Sequence, residues 1–102
     1  MKSFIPVLLI AASVVPASAQ GVPKLDYRST CKATPAVGMD RAATVAACLA
    51  DEENARKALP PVWAKSSKSS RAACVAETSQ GGLPSYVELL TCLQSNLVEK
   101  AR

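Results

Sequence analysis

Apolar and polar residues change rhythm several times along this chain. From Phe4 to Val15 the apolar run is almost unbroken. A mixed, proline-containing stretch follows over 20–38, and from Met39 onward apolar residues recur every three or four positions. That spacing places side chains on one face of a helix. The pattern therefore predicts an all-α fold, a small disulfide-stapled bundle of about three helices with an extended N-terminal arm. No segment shows the strict alternation of a half-buried strand.

The first helix is expected from Met39, with Asp40 as its cap and its charge suited to the positive end of the helix dipole. Ala42, Val45, Ala46, Leu49, Ala55 and Leu59 form the apolar face, interrupted at Glu52 and Glu53. Arg56 and Lys57 follow those glutamates by four residues, the favourable order for a helical ion pair. Pro60-Pro61 is expected to end or sharply kink this helix, because proline lacks a donor and crowds the preceding turn. Val62 and Trp63 would pack just beyond. Lys65 to Arg71 (KSSKSSR) reads as a polar loop in which Ser69 caps a second helix over Ser70 to Ser79. Gly81-Gly82 stops that helix, and Pro84 suits the first turn of a third, Pro84 to about Lys100. The third helix carries its apolar face at Tyr86, Leu89, Leu90, Leu93 and Leu97, with Cys92 beside it. Within the 20–38 arm, Pro23 and Pro35 break helix, and Leu25, Tyr27 and Val37 can tack the arm onto the core.

The first apolar run has a separate meaning. Lys2, the run from Phe4 to Val15 and the small-x-small pattern Ala17-Ser18-Ala19 have the three parts of a secretory signal. The run is too short to anchor in a bilayer. Residues 1–19 are therefore expected to be a signal peptide cleaved after Ala19. Residues 20–38 and 39–102 then form one domain, in the periplasm or secreted, with no transmembrane span. Cleavage removes Lys2 and lowers the net charge from +4 to +3. It leaves Trp63, Tyr27 and Tyr86 as the aromatic residues. An alanine-rich domain of this size buries little apolar area per residue, so covalent staples become important.

Cys31, Cys48, Cys74 and Cys92 supply them. Four cysteines allow three pairings. Cys74 and Cys92 lie at similar heights in a hairpin closed at Gly81-Gly82-Leu83, and Cys31 can reach Cys48 if the arm folds back. These local pairs, Cys31–Cys48 and Cys74–Cys92, are favoured over the nested pattern of Cys48–Cys74 with Cys31–Cys92. The spacing is too wide for a C-x-x-C zinc or redox motif.

The chain has no histidine, so the commonest general base and metal ligand is missing. Asp51-Glu52-Glu53 is expected to be a solvated helix face, since adjacent helical residues diverge by about 100°. A small enzyme using Asp51, Glu52, Glu53 and Glu88 is a less favoured alternative. The basic segment lacks the interleaved aromatics that stack on bases, so nucleic acid is not an expected partner. No cofactor or metal is expected. Lys65, Lys68, Arg71 and Tyr86 are the candidate partner surface.

Two blocks, ACLADEENARKALPPVW ending at Trp63 and CVAETSQGGLPSYVELLTCL from Cys74 to Leu93, resemble small secreted bacterial four-cysteine helical proteins of unknown function. The resemblance implies the secretion signal, the paired cysteines and the helices, and no activity. The expected function is that of a non-enzymatic binding or structural protein whose partner is an unidentified protein or envelope component. A periplasmic stress chaperone is the alternative.

Overall fold

The computed structural model describes residues 21–101, so the segment 1–19 and the cleavage site after Ala19 lie outside the described residues. Within them the chain is all-α. It forms α1 (Tyr27–Ala33), α2 (Arg41–Lys65), α3 (Lys68–Ser79) and α4 (Tyr86–Lys100). Four helices thus stand where about three were expected, because part of the 20–38 arm is itself helical. Asp26 caps α1, accepting from the Ser29 amide at 3.3 Å and the Ser29 hydroxyl at 2.7 Å. Pro23 and Pro35 fall outside this helix and merely bound it.

Asp40 caps α2, accepting from the Ala43 amide at 2.7 Å. The helix then continues through Pro60 and Pro61 instead of ending there. Both prolines are exposed, so water can reach the carbonyls of Arg56 and Lys57 that lose their partners. On the opposite face Leu59 is fully buried and Trp63 is 9% exposed. Burying two such side chains contributes roughly 3–6 kcal/mol. That gain, added to the rest of the core packing, holds both halves of the helix on one core despite a cost of about 3 kcal/mol for each of the two interior prolines.

The expected loop over Lys65 to Arg71 shrinks to Ser66 and Ser67. Ser66 donates to the Val62 carbonyl at 2.8 Å, closing the end of α2. Ser67, rather than Ser69, caps α3 by accepting from the Ser70 amide at 3.1 Å. After α3 a single 3-10 turn, Gln80–Gly82, reverses the chain. Gly81 and Gly82 have φ of 81° and 73°, a region that costs other residues about 1–2 kcal/mol. Ser85 then caps α4, accepting from the Glu88 amide at 3.2 Å. Pro84 therefore precedes the helix and is not in its first turn.

Helix α4 packs mainly against α2 and α3. Ala55, Leu59 and Trp63 from α2 meet Cys74 from α3 and Tyr86, Leu89 and Leu93 from α4. Val22, Leu25 and Tyr27 pack against this cluster from the N-terminal side. Cys31 bonds to Cys48 and Cys74 to Cys92, with S–S distances of 2.03 and 2.07 Å. One bridge joins α1 to α2 and the other joins α3 to α4.

Candidate functional site

Glu52 is not on a solvated face; it is 3% exposed. It lies where α2 crosses the start of α4, a helix end whose first amides lack partners within the helix. The Tyr86 amide donates to its Oε1 at 2.7 Å, and the Ser85 hydroxyl donates to its Oε2 at 2.7 Å. The Val87 amide approaches Oε2 at 3.4 Å. Negative charge also suits the positive end of the α4 dipole. Thr78 extends the network, accepting from the Ser85 amide at 2.9 Å and donating to the Ser85 carbonyl at 3.1 Å. Among the described residues, no buried side-chain nitrogen or oxygen lacks a hydrogen-bond partner.

Glu53 points elsewhere. The Tyr27 hydroxyl makes a short hydrogen bond to it, and Arg56 forms an ion pair at 2.9 Å. This pair has i,i+3 spacing, unlike the i,i+4 pairs expected from Glu52 and Glu53. The Tyr27 bond, and secondarily the Arg56 bond, holds the Glu53 carboxyl below the usual glutamate value. The same Tyr27–Glu53 bond, aided by burial, pushes the Tyr27 hydroxyl above its ordinary value. Asp26 is likewise lowered, first by the Ser29 hydroxyl and then by the Ser29 amide.

Of the expected partner surface of Lys65, Lys68, Arg71 and Tyr86, Lys68 and Arg71 line one pocket beside Trp63, whereas Tyr86 is buried. Tyr86 is 4% exposed. Its hydroxyl accepts from the Leu25 amide and donates to the Pro23 carbonyl, both at 3.0 Å, so it anchors the N-terminal segment. Arg71 is half-buried over the Trp63 ring, 5.2 Å from its centroid, and donates to the Trp63 carbonyl at 2.8 Å. Lys65 and Lys68 remain exposed near the α2–α3 junction.

A different surface stands out. Between the 34–40 connection, α2 and the first turn of α4 runs a groove of about 590 Å³. Thr30 secures α1 beside it by donating to the Pro84 carbonyl at 2.7 Å. Val37, Met39 and Val87 line the groove and are 80%, 52% and 40% exposed. Val37 thus does not tack the arm onto the core as expected. Asp51, Glu52 and Glu88 line the same groove, which brings together three of the four carboxylates considered for catalysis. Glu52 is engaged by the α4 amides, while Asp51 and Glu88 face solvent. No set of three or more His, Cys, Asp or Glu among the described residues could hold a metal ion. No described helix is long and apolar enough to cross a membrane.

Sequence periodicity does not reveal this groove, because Val37 and Met39 lie in a connection and Val87 falls off the apolar face of α4. The available signal is the pair of large apolar residues flanking Gly38 in a short link between two helices. No protein family model, curated protein or solved structure matches this chain.

Proposed function

We propose that this chain is a small non-enzymatic binding protein of the periplasm or the extracellular space. Its disulfide-stapled helices hold the groove of Val37, Met39 and Val87 open to a partner. The observation that carries this reading is the exposure of those three side chains in one groove, whereas Leu59, Leu89 and Leu93 are fully buried. Exposed apolar side chains gathered in one place mark interaction surfaces more often than isolated ones do. The use of Glu52 and Glu53 in holding α4 and α1 supports the same reading, because it commits these carboxylates to the fold. Two disulfides and the signal-like N-terminus support an oxidising compartment.

The test compares retrieval from periplasmic extract by the tagged wild-type protein and by a Val37→Ser/Met39→Ser variant. A partner held by wild type and lost by the variant is expected. Identical retrieval by both proteins, or none by either, would remove the groove from the function. The start of the mature chain provides a check on compartment: N-terminal sequencing should read from Gln20.

A further inference from the structure

The groove is acidic in a protein that is basic overall. The chain carries 12 Lys and Arg against 8 Asp and Glu. Among the described residues no lysine or arginine lines the groove, although Arg41 donates to the carbonyl of Thr34 at its edge, whereas Asp51, Glu52 and Glu88 do line it. The Ser85 hydroxyl and the α4 amides engage both oxygens of Glu52, so the carboxylates left open to a partner are Asp51 and Glu88. Glu88 is partly fixed, with Oε2 3.2 Å from the Thr78 hydroxyl. Any partner covering Val37, Met39 and Val87 also strips water from these carboxylates. An anionic or neutral apolar partner would leave them desolvated and unpaired, which is unfavourable. A cationic partner replaces the lost hydration with charge-assisted hydrogen bonds.

Resting on the reading of this chain as a binding protein, we infer that the groove takes a cationic amphipathic peptide segment of another protein. Apolar side chains of that segment cover Val37, Met39 and Val87, and its lysines or arginines pair with Asp51 and Glu88. The groove volume of about 590 Å³ accommodates a few side chains of a partner, not a whole domain face. The expected complex is therefore limited in area and depends on charge.

Fluorescence anisotropy with synthetic peptides tests this, using protein with both disulfides intact and its N-terminus as cells leave it. The probe carries leucine at helical spacing and lysine elsewhere. Its controls replace every lysine with glutamate or every leucine with serine. Wild type should bind the leucine–lysine peptide and neither control. Val37→Ser/Met39→Ser should weaken binding about tenfold or more, given the area that two such side chains bury. Asp51→Asn/Glu88→Gln should weaken it several-fold and flatten its salt dependence, since exposed pairs are screened. All four positions are exposed, and circular dichroism verifies that each variant folds.

Equal binding of the glutamate peptide, or unchanged binding in both variants, would overturn the inference. So would self-association of wild type that disappears in Val37→Ser/Met39→Ser, because a second copy would then fill the groove. If the leucine–lysine peptide fails but the extract still yields a partner lost with that variant, the cationic class falls and the binding role stands. If both experiments fail, both readings fall.

Discussion

Burying a glutamate is costly unless donors meet its oxygens. For Glu52 those donors are the Ser85 hydroxyl and the Tyr86 amide, each at 2.7 Å. Glu52→Ala leaves them facing a cavity and should lower stability by about 3 kcal/mol. Glu52→Gln keeps one acceptor and a similar shape, and should cost about 1 kcal/mol. Urea unfolding with unchanged m-values would measure both losses. An alanine variant within about 0.5 kcal/mol of wild type would show that this cap contributes little. Burial of this residue is partly legible in the sequence. Trp63, Leu59 and Ala55 step back at four-residue intervals, and three more residues reach Glu52. The Asp51-Glu52-Glu53 triplet hides that alignment, because acids normally mark a solvated face. The donors themselves lie more than 30 residues away, beyond the reach of local pattern.

Tyr27 and Glu53 make stability depend on pH at both ends of the scale. Glu53 is lowered in the fold by Tyr27 and then Arg56, so its contribution is present above the ordinary glutamate range and fades as pH falls through the folded value. Tyr27 is raised by Glu53, so its contribution is present below the ordinary tyrosine range and fades as pH rises through the folded value. The stability difference between wild type and Tyr27→Phe should therefore be greatest near neutrality and close in acid and in alkali. Urea midpoints across a pH series would read this difference. A gap independent of pH would mean that the hydroxyl and carboxylate do not pair in solution.

At the scale of elements, α2 shows where local rules yield to packing. A proline pair predicts a helix end, but Leu59 and Trp63 are anchored on both sides of it and the prolines face water. The local rule should still register in energy. Restoring an amide and removing the ring clash outweighs the gain in unfolded-chain entropy of about 0.4–1 kcal/mol. Pro60→Ala or Pro61→Ala should thus raise stability by about 1–2 kcal/mol, measured by thermal unfolding. Loss of stability would mean that α2 needs the prolines to place Trp63. Helix α4 was the most legible element because Tyr86, Leu89 and Leu93 repeat on one face and all are buried. Helix α1 was obscured by Pro23 and Pro35, whose positions just outside its ends only the fold reveals. The serine-rich segment offered several equivalent caps, and composition could not distinguish Ser67 from Ser69.

For the whole molecule, the two bridges have nearly equal spans of 17 and 18 residues but different neighbours. The chain-entropy model credits each with about 3 kcal/mol, a large share of a small domain's stability. Cys74 belongs to the core cluster with Leu89 and Leu93, whereas Cys31 is the single buried residue of the seven-residue α1. A helix that short has little stability of its own. Removing the first bridge with Cys31→Ala/Cys48→Ala should expose α1 locally, while α2 and α4 keep their hydrogen-exchange protection. Removing the second with Cys74→Ala/Cys92→Ala should lower protection throughout the core by about 3 kcal/mol. The groove supplies an independent reading, since α1 reaches its wall through Thr30 and Pro84. Loss of the first bridge should therefore weaken peptide binding without unfolding the bundle. If α1 stays as protected as the core, its Tyr27 and Thr30 contacts alone hold it, and the first bridge serves only to restrict the unfolded chain.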